Sequence, residues 1–198
     1  KVLEIGSYCG LFLNILKQNG YKNIQGIELS TWACDYSKKR YQLDKIFNES
    51  FETTKSFKPN SLDTIVALDV FEHTSDPNLF LNQSNRLLKK GGILYLTTID
   101  IDSLFARLMG KNWPWIMYMH LLYFGNNSIQ TIFKQNGFEL IEVSNHVHFA
   151  SLKYAYSKFV LSFHKIIQPY LNKINFLIPN LTIPFSLGDV KTYVLKKL

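Results

Sequence analysis

The stretch "DVFEH" sets Asp69, Glu72 and His73 at spacings of three and then one. On a helical turn, positions i, i+3 and i+4 share one face, so two carboxylates and an imidazole would converge. These are hard-to-borderline ligands, suited to Mg²⁺ or Zn²⁺. His120, in an aromatic stretch expected to lie over the site, is the candidate fourth ligand. Without a metal, His73 or His120 is a candidate general base, because imidazole titrates near neutral pH. The competing expectation is structural: Glu72 and His73 hydrogen-bond internally and order the loop that carries them.

A second constellation opens the chain. In "KVLEIGSYCG" an apolar run carries Glu4, and Gly6 and Gly10 then flank Ser7, Tyr8 and Cys9. Glycines at a strand end let backbone approach a ligand, and the helix that follows offers free N–H groups. Glu28 stands about 20 positions on, where an acidic residue grips ribose hydroxyls. The glycine spacing is not the G-x-G-x-x-G of dinucleotide enzymes.

These residues need a frame to hold them. Residues 2–5, 23–29, 45–50, 61–69, 92–99, 138–143 and 190–197 read as strands. The fourth is nearly all apolar, as expected for a parallel strand covered on both faces. Between them run helices over 10–18, from N-cap Ser30 to about Tyr41, from Asp76-Pro77 to Gly91-Gly92, and over 128–136. This alternation predicts an open α/β sheet with helices on both faces, whose ligands bind beyond the C-terminal strand ends. Two stretches fall outside it: 100–127, rich in Trp, Tyr, Met and His, and 150–187.

At this point the chain resembles a known family. "VLEIGSYCG", "GIELS", "SLDTIVALDVFEH", "DPNLFLNQSNRLLKKGGILYLTT" and "GFELIEV", in that order, are similar to the class I S-adenosylmethionine-dependent methyltransferases. The likeness covers about residues 1–145 and is most specific over 62–98. It looks most like the branch of the ubiquinone-biosynthesis O-methyltransferases and small bacterial methyltransferases of natural-product and surface-glycan pathways. The Trp-rich segment before His120 is similar to that branch as well.

The resemblance implies a Rossmann-like three-layer sandwich around a mostly parallel seven-stranded sheet with an antiparallel last strand. It implies one domain over 1–198, with 1–99 as the cofactor half, 100–127 as an aromatic lid (Trp113, Trp115, Tyr118, Tyr123, Phe124) and 150–187 as a helical insertion. For S-adenosylmethionine it implies that Glu4 approaches the methionine amino group. Gly6, Ser7 and Gly10 line the methionine end, with Tyr8 standing where the family has a central glycine. Glu28 takes the ribose, Leu29 covers the adenine, Glu49, Ser50 and Phe51 flank it, and Asp69 lies beside the transferable methyl. The DVFEH pattern is similar to the metal sites of the quinone O-methyltransferases and of plant small-RNA methyltransferases. The implied activity is O-methylation of a small molecule or glycan intermediate. RNA methylation is the second reading, and a non-catalytic binding module, suggested by Tyr8, is the third.

The totals agree with a folded globular protein. The 198 residues are 46% hydrophobic and 19% charged, enough for a sizeable core. The net charge of +7 would suit an anionic partner, nucleic acid or an acidic membrane, but the lysines are scattered and form no dense block. Cys9 and Cys34 have no pairing or zinc-type spacing, which predicts a reducing, cytoplasmic setting. Residues 1–20 read as strand, loop and helix rather than as a signal peptide, and the abrupt start predicts a preceding segment. For 151–178 three roles fit: a substrate pocket, a dimer contact or peripheral membrane contact. His146, His148 and His164 are expected to be surface or packing residues.

Overall fold

Strands β1 (Val2–Ile5), β2 (Ile24–Ile27), β3 (Ile46–Phe47), β4 (Leu62–Leu68), β5 (Leu88–Ile99), β6 (Phe138–Asn145) and β9 (Val190–Lys197) form one sheet in the order β3-β2-β1-β4-β5-β9-β6. The computed structural model describes residues 1–153, 156, 170 and 177–198. All neighbours from β3 to β5 are parallel, and β9 runs antiparallel to both β5 and β6. The expected seven-stranded sheet with an antiparallel last strand is therefore present. Because β9 runs backwards, it starts where the parallel strands end: Val190 pairs with Ile99. Its first residues thus belong to the edge where ligands bind in such sheets.

Helices α1 (Leu11–Gln18), α2 (Thr31–Tyr41), α3 (Pro77–Leu87), α4 (Leu104–Met109) and α5 (Asn126–Gln135) connect the strands. The expected caps form. Ser30 Oγ accepts from Ala33 N at 3.3 Å, and Asp76 Oδ1 accepts from Asn78 N at 2.9 Å and Leu79 N at 3.1 Å, with Pro77 in the first turn. α5 starts two residues before the expected Ser128, because Asp102, from a distant loop, accepts from Asn126 N at 2.9 Å.

Two expected boundaries move. The helix expected to reach Gly91-Gly92 stops at Leu87, because fully buried Leu88 turns into the sheet and pairs with Leu62. The strand expected over 45–50 is only Ile46–Phe47, since Asn48 turns its side chain back onto the Glu28 and Leu29 carbonyls.

The main core joins the sheet, Phe138 of β6 included, to Phe71, Phe80, Phe124 and Phe133. Phe71 has no exposed surface and stacks on Phe124 at 5.1 Å and against Phe80 at 5.3 Å. Burying such a side chain is worth about 1.5–3 kcal/mol, which anchors the short 3₁₀ turn Phe71–His73 beyond β4.

The chain divides into two compact units, 1–145 with 188–198, and 146–187. In the second, β7 (His148–Ser151) pairs antiparallel with β8 (Thr182–Phe185). This strand pair, built from residues with β preference such as Phe149, Thr182, Ile183 and Phe185, includes both ends of the expected helical insertion; the described residues 152, 153, 156 and 170 inside it are helical. Its middle, most of the 151–178 membrane-contact candidate and His164 lie outside the described residues. His146 and His148 pack together at 4.9 Å, with His148 against Phe185 at 5.5 Å, as the packing expectation has it. Among the described residues no helix is long and apolar enough to cross a membrane.

Candidate active site

The glycine loop follows β1 directly. Gly6 and Gly10 take φ of +66° and +75°, a region that only glycine enters without strain. A Cβ on Gly6 would stand 2.7 Å from Val70 Cγ2, so the loop and the segment after β4 pack too closely for any side chain there. Tyr8 shares the left-handed backbone at φ +41°. Its ring turns toward α2, 6.5 Å from Trp32, and is 64% exposed. Its N–H donates to Glu28 Oε2 at 2.8 Å, while Ser30 N donates to Glu28 Oε1 at 2.8 Å. Glu28 thus ties the loop to the start of α2 and keeps a second lone pair on each oxygen.

Left-handed backbone costs a non-glycine residue roughly 1–2 kcal/mol, against about 0.5–1 kcal/mol of extra chain entropy for glycine. Tyr8→Gly is therefore expected to leave the melting temperature unchanged or slightly higher, and Tyr8→Val to lower it. A drop of several degrees for Tyr8→Gly in thermal denaturation would contradict the assigned strain.

Two buried polar atoms at this loop have no partner: Glu4 Oε2 and Ser7 Oγ. Burial first, and the neighbouring Glu28 second, push the Glu4 carboxyl up to about 8. A buried acceptor without a donor is costly, so the pair fits a ligand that brings a cationic or N–H donor to the loop. Gly6, Glu28, Leu29, Glu49, Phe51 and His73 line one cleft. Leu29 stands 73% exposed on its rim, and Glu49 has an unpartnered buried Oε1. Ser50 is not among the lining residues; its hydroxyl donates to Glu52 Oε2 at 2.6 Å.

The DVFEH segment divides. Asp69 does not begin a helical turn: its φ is +53°, its N–H donates to Thr97 Oγ1 at 2.9 Å, and its Oδ1 accepts from that hydroxyl at 2.7 Å. The shared-face expectation for Asp69 is corrected accordingly, because β5 holds it and the turn starts only at Phe71. Glu72, His73 and His120 do converge, with one ligand atom from each within 4.8 Å of the others. A tetrahedral ion with bonds near 2.0–2.2 Å separates its donors by about 3.4 Å, so this group closes by an ångström or so to hold one.

The electrostatics of the cluster follow from burial. Glu72 is 2% exposed, and burial raises its carboxyl pKa despite the bond its Oε2 accepts from Thr98 Oγ1 at 2.9 Å. Burial also lowers the pKa of His120, with His73 adding to the effect. His73 Nδ1 lies 2.8 Å from Met119 O, and His120 Nδ1 lies 2.8 Å from Trp115 O. A carbonyl only accepts, so each Nδ1 carries the hydrogen and each Nε2 keeps a lone pair for a proton or a metal. Glu72 O also accepts from Leu121 N at 2.9 Å and Leu122 N at 3.1 Å, which pins the aromatic segment over the turn.

The expected lid is partly core. Trp113 is buried with Ile99, Ala106 and Val190, and Phe124 is buried under Phe71. Trp115 lies over the His120 ring at 6.1 Å, while Tyr118 is 92% exposed. Thr97 and Thr98, which hold the two carboxylates, stand out only once β5 is known to lie beside β4. Asp189, whose carboxylate holds both indoles, was detectable only as a polar residue opening a strand that starts at the ligand edge.

Comparison with known proteins places the family and the fold. Residues 1–143 match the family described as a methyltransferase domain. The mitochondrial ubiquinone biosynthesis O-methyltransferase of Schizosaccharomyces pombe is 29% identical over 114 residues, 55% of this chain and 41% of that protein. The chain thus spans less than half the length of that relative. A SAM-dependent methyltransferase from Thermotoga maritima superposes with a TM-score of 0.64 at 21% identity, over 100% of this chain and 82% of that one. The [4+2]-cyclase SpnF gives 0.66 at 16% identity, over 99% and 77%, so the fold by itself does not fix the reaction. With the family match over residues 1–143 and the sheet order described above, the chain belongs to the class I S-adenosylmethionine-dependent methyltransferases.

Proposed function

We propose that this chain moves a methyl group from S-adenosylmethionine to an oxygen of a small molecule or glycan intermediate. The observation that carries the reading is that His73 lines the same cleft as Gly6 and Glu28 while belonging to the cluster with Glu72 and His120. S-adenosylmethionine supplies an electrophilic methyl group on a sulfonium. Glu28 would offer its free lone pairs to the ribose hydroxyls, Glu4 would take the cationic amino group, and Leu29 and Phe51 would hold the adenine. Asp69, oriented by Thr97, would serve the methyl end. The acceptor hydroxyl gives its proton to Nε2 of His73 or His120, and the Nδ1–H bond to a carbonyl steadies the cation that results.

The same three side chains are proposed to hold a divalent metal, which would lower the pKa of an acceptor oxygen. With Asp69 outside the cluster, the donors are two imidazoles and one carboxylate, a set that suits Zn²⁺ better than Mg²⁺. The experiment is methyl transfer from labelled S-adenosylmethionine over a panel of hydroxylated acceptors, with and without chelator. Chelation is expected to remove turnover without releasing the cofactor, and Zn²⁺ to restore it. Turnover indifferent to chelator and governed by one ionisation near neutral pH would leave His73 or His120 as base alone.

A further inference from the structure

Asp189 directly precedes β9 at the ligand edge of the sheet and is 2% exposed. Its Oδ2 accepts from Trp113 Nε1 and from Trp115 Nε1, both at 2.9 Å, across 76 and 74 residues of chain. Its own carbonyl accepts from Asp100 N at 2.8 Å, which fixes the carboxylate against the end of β5. A carboxylate this deeply buried is costly unless hydrogen-bonded, so the two indoles and the acid hold one another in place.

The consequence runs through Trp115. Its indole is held by Asp189, and its carbonyl accepts from His120 Nδ1 at 2.8 Å and from Tyr123 OH at 3.2 Å. Its ring also lies nearly parallel to the His120 imidazole, at 26°. The residue that orients His120 is thus itself anchored at its far end by one carboxylate. Short segments such as residues 113–120 carry few regular backbone bonds, and an anchored side chain is what fixes where their carbonyls point.

We infer that Asp189 is a positioning residue: through the Trp115 indole it fixes the Trp115 carbonyl, and so holds His120 in the Nδ1–H tautomer with Nε2 free to act. The inference builds on the proposed role of His120, but the tautomer is a property of the protein alone. The residue that leads into the last strand, itself no cluster ligand, then sets the chemistry of the site. Trp113 serves the anchor and not the imidazole, since it makes no bond to His120.

The test is nitrogen NMR of the imidazoles in protein carrying ¹⁵N-labelled histidine, at pH 8 with no added metal, with His120 assigned from His120→Gln. The wild type is expected to show His120 as the Nδ1–H tautomer. Asp189→Ala and Trp115→Phe should each move at least about a third of it to Nε2–H, while Trp113→Phe, which keeps the Trp115–Asp189 bond, should move clearly less. If Asp189→Ala does not fold, Trp115→Phe decides, because it keeps an aromatic ring at that position while removing the N–H anchor. His120 remaining wholly Nδ1–H in folded Trp115→Phe would overturn the inference. A tautomer shift in a protein that shows no methyl transfer would leave the inference standing and count against the proposed activity.

Discussion

His73→Ala is expected to reduce methyl transfer by about 10²–10⁴-fold, the range set by losing a positioned acid–base group, and Glu72→Gln to reduce it steeply by removing the carboxylate of the cluster. If the cluster holds Zn²⁺, each should also weaken the metal by at least about 100-fold, more than a supporting residue alone would. Neither residue is among those assigned to the ribose or amino group, so cofactor affinity should change by no more than about twofold. Stability separates this from a folding defect. The Glu72 pKa is raised in the folded protein by burial, so folding favours its protonated form. Its contribution to stability is therefore present at low pH and falls as pH rises through the folded value. Glu72→Gln keeps an acceptor for Thr98 and removes that pH dependence, so the variant should be at least as stable as wild type at pH 8. Thermal denaturation against pH, beside single-turnover kinetics, checks both halves; a variant that loses activity only in step with its melting temperature would assign Glu72 a packing role.

The second large effect is at Glu28. A carboxylate bonded to both ribose hydroxyls makes charge-assisted bonds of about 1.5–3 kcal/mol each, so Glu28→Ala should weaken S-adenosylmethionine by at least about tenfold. The same carboxylate also accepts from Tyr8 N and Ser30 N. The alanine variant therefore loses a loop anchor as well, and some drop in melting temperature accompanies the loss of affinity. Ser30→Ala offers the control: it deletes only the α2 cap, worth about 1 kcal/mol, and should leave affinity nearly intact.

The parts of this site that could be read from sequence are those set by local chemistry. Gly6 and Gly10 announce left-handed backbone because glycine alone enters it without strain, and Ser30 and Asp76 announce helix starts because their side chains cap free N–H groups. The apolar run of β4 announces a buried parallel strand. Reading failed where a contact between distant residues decided the outcome. Spacing alone put Asp69 on a turn with Glu72, but Thr97, 28 residues on, captures both its amide and its carboxylate. Trp113 was expected to be lid and is core, because Asp189 draws its indole inward. Leu88 leaves the helix for the sheet because Leu62 is there to pair with it. The antiparallel pair of β7 and β8 joins segments about thirty residues apart, whose pairing no local pattern specifies.

The central claim is that the loop from Gly6 to Gly10, with Glu4 and Glu28, is an S-adenosylmethionine site. Titration calorimetry of S-adenosylmethionine at pH 7, in two buffers of different ionisation enthalpy, tests it most directly. Glu4, held near 8 in the free protein, should ionise when a cationic amino group arrives. The account predicts saturable binding of one cofactor per chain, with release of most of one proton and an affinity at least about tenfold weaker in Glu28→Ala. Absence of saturable binding, or binding with no proton release and no response to Glu28→Ala, would contradict it.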